Sequence, residues 1–137
     1  MPNPTSYLTA HDAQALTTAA ATAAAADGNA VSVSILDAGG HLLAFYRDDA
    51  AVLISGETST RKAYTALQLS NPTADVGDAV KPDGPFHSLP TALAQPLLFI
   101  PGGVPVVRDG RTIGAIGVGG GTPQQDHSYA TAALLAL

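Results

Sequence analysis

Apolar positions along the chain recur at two spacings, every second residue or every third to fourth, and the switches between them mark the elements. Ala10–Ala26 is rich in alanine, the best helix former. Thr9 precedes it with Asp12 three residues on, a capping-box pattern, and Gly28 supplies a stop. This predicts a first helix with a thin profile that a neighbour can approach closely. Val31, Val33 and Ile35 then alternate with Ser32, Ser34 and Leu36. Asp37–Gly40 is a turn and His41–Arg47 a returning strand, so residues 30–47 predict a β-hairpin. Leu42, Ala44 and Tyr46 share one face of its second strand, and His41, Leu43, Phe45 and Arg47 share the other.

Helical spacing returns over Ser55–Leu69. Ser55, Thr58, Lys62, Thr65 and Leu69 form one stripe. Ala63, Ala66, Leu67 and Ser70 form a neighbouring, more apolar one, which is the expected core face. Asn71–Gln95 is irregular, broken by Pro72, Pro82, Pro85 and Pro90, with a short helix expected within Thr73–Val80. Such a long connection is a common place for function. Leu97–Ile100 is expected to be a short strand, and Pro101-Gly102-Gly103 a turn. Val104–Arg108 and Arg111–Val118 flank Asp109-Gly110, a strong hairpin signal. Thr122 as N-cap, Pro123 at the first helical position and Gln125 three residues after the cap open a last helix. The order α-β-β-α-(α)-β-β-β-α predicts one α/β (α+β) domain over residues 1–137. Its sheet is mostly antiparallel, with helices packed against it.

Composition narrows the function classes. Charged residues are only 12% of the chain, about half the usual ~25%. A surface so poor in charge is expected to be partly covered, which favours a homo-oligomer. The net charge is −5 and no basic stripe exists, so nucleic acid is excluded as a partner. No apolar run reaches the ~18 residues of a membrane span. Met1–Thr5 has no basic n-region, and from the missing export signal we expect a cytoplasmic protein. Cysteine is absent, which removes disulfides, thiolate nucleophiles and cysteine-ligated metal.

Five ordered blocks resemble one known family. They are Val33–Phe45 with its Asp37-Ala38-Gly39-Gly40-His41-Leu42-Leu43-Ala44 core, Arg47 with Asp49, Lys62-Ala63-Tyr64-Thr65-Ala66, Pro101-Gly102-Gly103-Val104-Pro105, and Gly114–Val118 with Gly121–Asp126. In these blocks the chain is similar to the GlcG/HbpS family, a haem-binding domain also fused to PduO-type corrinoid adenosyltransferases. Gly119 departs from it, standing where the family usually has Ser. The resemblance implies a five-stranded antiparallel sheet, dimers that assemble further, and haem binding in some members. Function transfers from such a likeness less firmly than fold.

The residues leave three functions open: a small-ligand or haem-binding protein, a cofactor-independent enzyme acting on a small organic acid or carbonyl compound, and a structural oligomeric module. Lys62, mid-helix between small residues, is a candidate base, nucleophile or anion binder, or else the donor of a structural salt bridge to Asp37 or Asp49. Arg47 and Asp49 end the second strand, where they either clamp a carboxylate or anchor a loop. Gly119, Gly120 and Gly121 place backbone N–H groups at a helix start, suited to an anion or to a tight turn. Lys62, Thr65 and this glycine turn are expected to border one pocket, with Asn71–Gln95 near its rim. The histidines are His11, His41, His87 and His127, with no metal-ligand spacing among them. With Cys absent and the only Met the initiator, a histidine is the expected haem ligand, His11 first and His87 second. His87, on its loop, is also a candidate acid or base. No G-x-S-x-G elbow marks a hydrolase.

Overall fold

The structure, a computed structural model, describes residues 6–137; Met1–Thr5, read above for an export signal, lies outside the described residues. In chain order the elements are α1 (Ala10–Ala26), β1 (Ser32–Asp37), β2 (Leu42–Arg47), α2 (Ile54–Leu69), β3 (Gly103–Arg108), β4 (Arg111–Gly119) and α3 (Pro123–Ala133). Short 3-10 turns at Thr73–Asp75, Gly77–Val80 and Leu89–Thr91 replace the helix expected after α2. Both predicted capping boxes form. Thr9 and Asp12 exchange side-chain bonds with each other's N–H groups at 3.0 and 3.1 Å. Thr122 and Gln125 do the same at 3.2 and 2.9 Å. Asp109 and Gly110 both take positive φ, 53° and 75°, as a tight two-residue hairpin requires.

The sheet is antiparallel throughout, in the order β2-β1-β4-β3. It has four strands among the described residues, not five. Leu97–Ile100 stays out of it. Pro96 and Pro101 bracket these residues, the Leu97 N–H donates to the Pro90 carbonyl at 3.0 Å, and the Leu98 N–H to Thr65 Oγ1 at 2.8 Å. With those donors spent elsewhere, the segment has little left to build a ladder.

Three layers result. On one face of the sheet α1 and α3 bury Leu16, Ala20, Ala24, Tyr129 and Ala133 against Val33, Ile35, Val104, Ile116 and Val118. On the other face lies α2, and here the packing is polar and close. Ser55, Ser59, Lys62 and Thr65 are buried beside Ala63 and Ala66, so the polar stripe is core as fully as the apolar one. The alternate serines of β1 explain this: Ser32 Oγ lies 2.8 Å from Ser55 Oγ, and Ser34 Oγ 2.8 Å from Ser59 Oγ. A Cβ on Gly117 would lie 1.9 Å from the Ser59 carbonyl oxygen, and one on Gly103 2.0 Å from that of Lys62. Glycine at these two positions lets the α2 backbone rest directly on β4 and β3.

Candidate functional site

The candidate residues of α2 converge on a closed junction. Lys62 is 4% exposed and Asp126 1% exposed. The Lys62 ammonium donates to Asp126 Oδ2 at 2.9 Å and to the Val118 carbonyl at 3.0 Å. Asp126 Oδ1 accepts the Gly121 N–H at 2.9 Å. Gly102 packs on the same lysine, since a Cβ there would sit 2.8 Å from Lys62 Cδ, and its carbonyl accepts the Val118 N–H at 2.9 Å. Three sequence blocks (Lys62–Ala66, Pro101–Pro105 and Gly121–Asp126) thus meet at one buried ion pair.

Burial pushes the Asp126 carboxyl above the usual carboxylate range, while the Lys62 hydrogen bond and charge and the Gly121 amide pull it back. Asp126, rather than Asp37 or Asp49, is the partner of Lys62. Sequence reasoning passed over Asp126 in the first turn of the last helix. The available signal was a carboxylate inside a matched motif, three residues beyond a proline that already started the helix. A lysine acting as nucleophile or base needs a free amine facing a substrate, and this one is spent on two acceptors away from solvent.

The other candidates are dispersed. Thr65 lies one turn beyond Lys62; its hydroxyl donates to the Arg61 carbonyl at 2.8 Å and accepts from Leu98, tying α2 to the segment before β3. Gly119 underlies α2, with Thr58 Oγ1 2.6 Å from where its Cβ would stand, and Gly120 turns the chain at φ 119°. The Gly121 N–H is spent on Asp126, so the glycine turn is a structural corner with one fewer amide for an anion. Arg47 and Asp49 are both exposed, and no ion pair joins them. His41 Nδ1 lies 3.3 Å from Asp37 Oδ1, and that oxygen also accepts the Gly39 and His41 N–H groups, which fixes the hairpin turn. His127 Nδ1 is buried with no hydrogen-bond partner. His11 is exposed in the first turn of α1, its imidazole unengaged among the described residues. His87 is exposed next to Phe86, which lines an apolar cleft of about 300 Å3 with Leu69, Val76, Val80, Leu89 and Phe99. A shallower groove of about 310 Å3 runs along α1 between Thr18, Ala21, Thr22, Ala25 and Tyr46. No group of three or more His, Asp or Glu able to hold a metal ion occurs among the described residues. Nor is any helix among them long and apolar enough to cross a membrane.

A family model described as haem degrading protein HbpS-like matches residues 8–135. The chain belongs to the HbpS-like family. Among relatives of this HbpS-like chain, a 15.0 kDa protein encoded between dhaT and dhaS in Citrobacter freundii is 40% identical over 104 residues, 76% of this chain and 73% of that one. The corrinoid adenosyltransferase PduO of Salmonella typhimurium is 35% identical over 130 residues, 95% of this chain; the match spans only 39% of PduO's length. The crystal structure of a PduOC–haem complex superposes with a TM-score of 0.91 at 34% identity, covering 96% of this chain and 95% of that one.

Proposed function

We propose that this HbpS-like chain binds haem or another tetrapyrrole through a histidine on its surface. The observation that carries the reading is the likeness, along nearly the whole of both chains, to a domain solved as a haem complex. The chain's own residues fit such a group. His11 offers an unengaged imidazole at the start of α1. Ala15, Thr18, Thr22 and Ala25 continue its stripe along the helix, all small side chains, and the groove beside Tyr46 extends that surface. A flat macrocycle meets no bulky residue along that stripe. When bound, haem supplies an iron whose reactivity is set by its axial ligand and by the polarity around it. The protein's part is to present the imidazole, to offer apolar area to the ring face and to limit solvent at it.

Size adds a second element to the reading. Pockets that enclose drug-sized ligands run roughly 300–1,000 Å3. Four clefts among the described residues measure about 190 to 310 Å3, at or below the lower end of that range, and the groove along α1 is open on its outer side. A ring lying on α1 would leave one face open to solvent, and a second protomer covering that face fits the reading of a homo-oligomer built from dimers and the 12% charge content.

Haemin titration followed at the Soret band tests the proposal. Wild type is expected to give a saturable red-shifted band. His11→Ala is expected to shift or abolish it while leaving the circular dichroism unchanged, since a first-turn exposed residue carries little packing. Loss on His87→Ala instead would move the ligand to the loop beside the Phe86 cleft. A wild-type spectrum identical to free haemin overturns the reading.

A further inference from the structure

The sheet has two edges, and they differ. On β3 the outward-facing positions are Gly103 and Pro105, because the Gly102–Val118 pair next to them is bonded inward. Gly103 is already satisfied: its N–H donates to Thr73 Oγ1 at 3.0 Å, and the same hydroxyl reaches its carbonyl at 3.4 Å. Pro105 has no N–H to offer. That edge is closed by the devices that keep strands from pairing with strangers.

On β2 the outward N–H and C=O groups have no such side-chain partner among the described residues, and no proline interrupts them. The Asp48 N–H donates to the Val31 carbonyl at 3.0 Å, and the register Ser32↔Arg47, Val33↔Tyr46, Ser34↔Phe45, Ile35↔Ala44 continues from it. By alternation Tyr46 and Ala44 bond inward to β1, while the N–H and C=O of Phe45 and Arg47 point off the sheet. No described residue bonds to them across that edge. A register shift between Ile35 and Leu36 leaves Leu43 as a bulge, which ends the regular edge at Ala44. Along this short open edge Phe45 is 47% exposed beside the exposed Tyr46 and Arg47, and the following loop brings up the apolar Val52, Leu53 and Ile54 with Leu53 at 81%. Three consecutive exposed aliphatic residues on so weakly charged a chain form an apolar patch suited to burial against a partner.

We infer that β2 pairs antiparallel with β2 of a second copy across a two-fold axis at Tyr46, joining the two sheets into one of eight strands. The inference rests on the self-association proposed above. A strand paired with itself about a two-fold is necessarily antiparallel, and only three registers engage the outward groups of Phe45 and Arg47. Centring on Arg47 sets the two guanidinium groups against each other. Centring on Phe45 sets Arg47 against the bulged Leu43. Centring on Tyr46 pairs Phe45 of each copy with Arg47 of the other. All the outward groups of the two residues are then bonded, and each guanidinium lies beside a phenyl ring.

Because the chain has no cysteine, Tyr46→Cys introduces a single thiol at the proposed axis. There, as a non-hydrogen-bonded pair, the two Cα atoms would stand about 4.5 Å apart, within disulfide range. Under a mild oxidant Tyr46→Cys is expected to run as a covalent dimer on non-reducing gels, several-fold more than Val107→Cys, an exposed control on the opposite edge. Light scattering of wild type is expected to give at least twice 13.7 kDa. Phe45→Pro, which removes an outward N–H without touching the β1 ladder, is expected to halve that mass. A wild-type oligomer in which Tyr46→Cys cross-links no better than Val107→Cys overturns the inference and leaves self-association standing. A wild-type mass of 13.7 kDa overturns both.

Discussion

Replacing Lys62 by methionine keeps the length and most of the volume of the side chain and deletes only the ammonium. The two partners are 5% and 2% exposed at the side chain, so solvent screens the pair very little. At the observed 2.9 Å separation the gross attraction is about 6 kcal/mol for an effective dielectric of ~20. Desolvating the two ions costs several kcal/mol each, so the intact pair adds little net stability. Removing one partner is different, because the Asp126 carboxylate stays buried with only the Gly121 amide to solvate it. Breaking a buried pair in this way costs about 3–5 kcal/mol. At roughly 3–5 °C per kcal/mol for a domain of this size, Lys62→Met is expected to lower Tm by roughly 10–20 °C. Urea denaturation and thermal circular dichroism at neutral pH measure it. Lys62→Met combined with Asp126→Leu removes the stranded charge and is expected to recover most of the loss. Haemin binding by folded Lys62→Met is expected to match wild type, since the amine faces no cleft. A single-variant loss below about 1 kcal/mol, or a double variant no more stable than the single, would refute the reasoning.

Two further outcomes follow from the same geometry. Gly117→Ala drives a Cβ to 1.9 Å from the Ser59 carbonyl and must lift α2 off β4, an expected loss of more than about 3 kcal/mol; Gly28→Ala, with nothing within 4 Å but φ at 74°, is expected to lose about 1 kcal/mol, and parallel urea curves compare the two. Asp126 titrates above its unfolded value, so the folded state takes up its proton first and stability through this group falls as pH rises across that window. The deficit of Lys62→Met is therefore expected to shrink as the pH is lowered from neutral and the stranded carboxyl protonates. A deficit that grows on acidification would show that Asp126 is not the stranded group.

Local chemistry determines much of this protein from the sequence by itself. The capping boxes at Thr9 and Thr122, the stop at Gly28 and the Asp109-Gly110 hairpin are legible because each is settled by neighbours within a few residues. The alternation Val33, Ile35 against Ser32, Ser34 likewise fixes which residues share a face. Tertiary structure decided what that second face meets. A sequence pattern shows that Ser55, Lys62 and Thr65 are polar, which ordinarily marks a solvated stripe. Only the glycine bed of β3 and β4 and the serines of β1 turn it into a buried one. The same holds for Leu97–Ile100, whose apolar run reads as a strand until Pro90 and Thr65 take its donors. Lys62 and Asp126 are 64 residues apart in the chain, and their pairing depends on α2 and α3 both reaching the end of β4. Sequence periodicity carries no information on such distant juxtapositions, because it records which way a side chain faces and not what faces it.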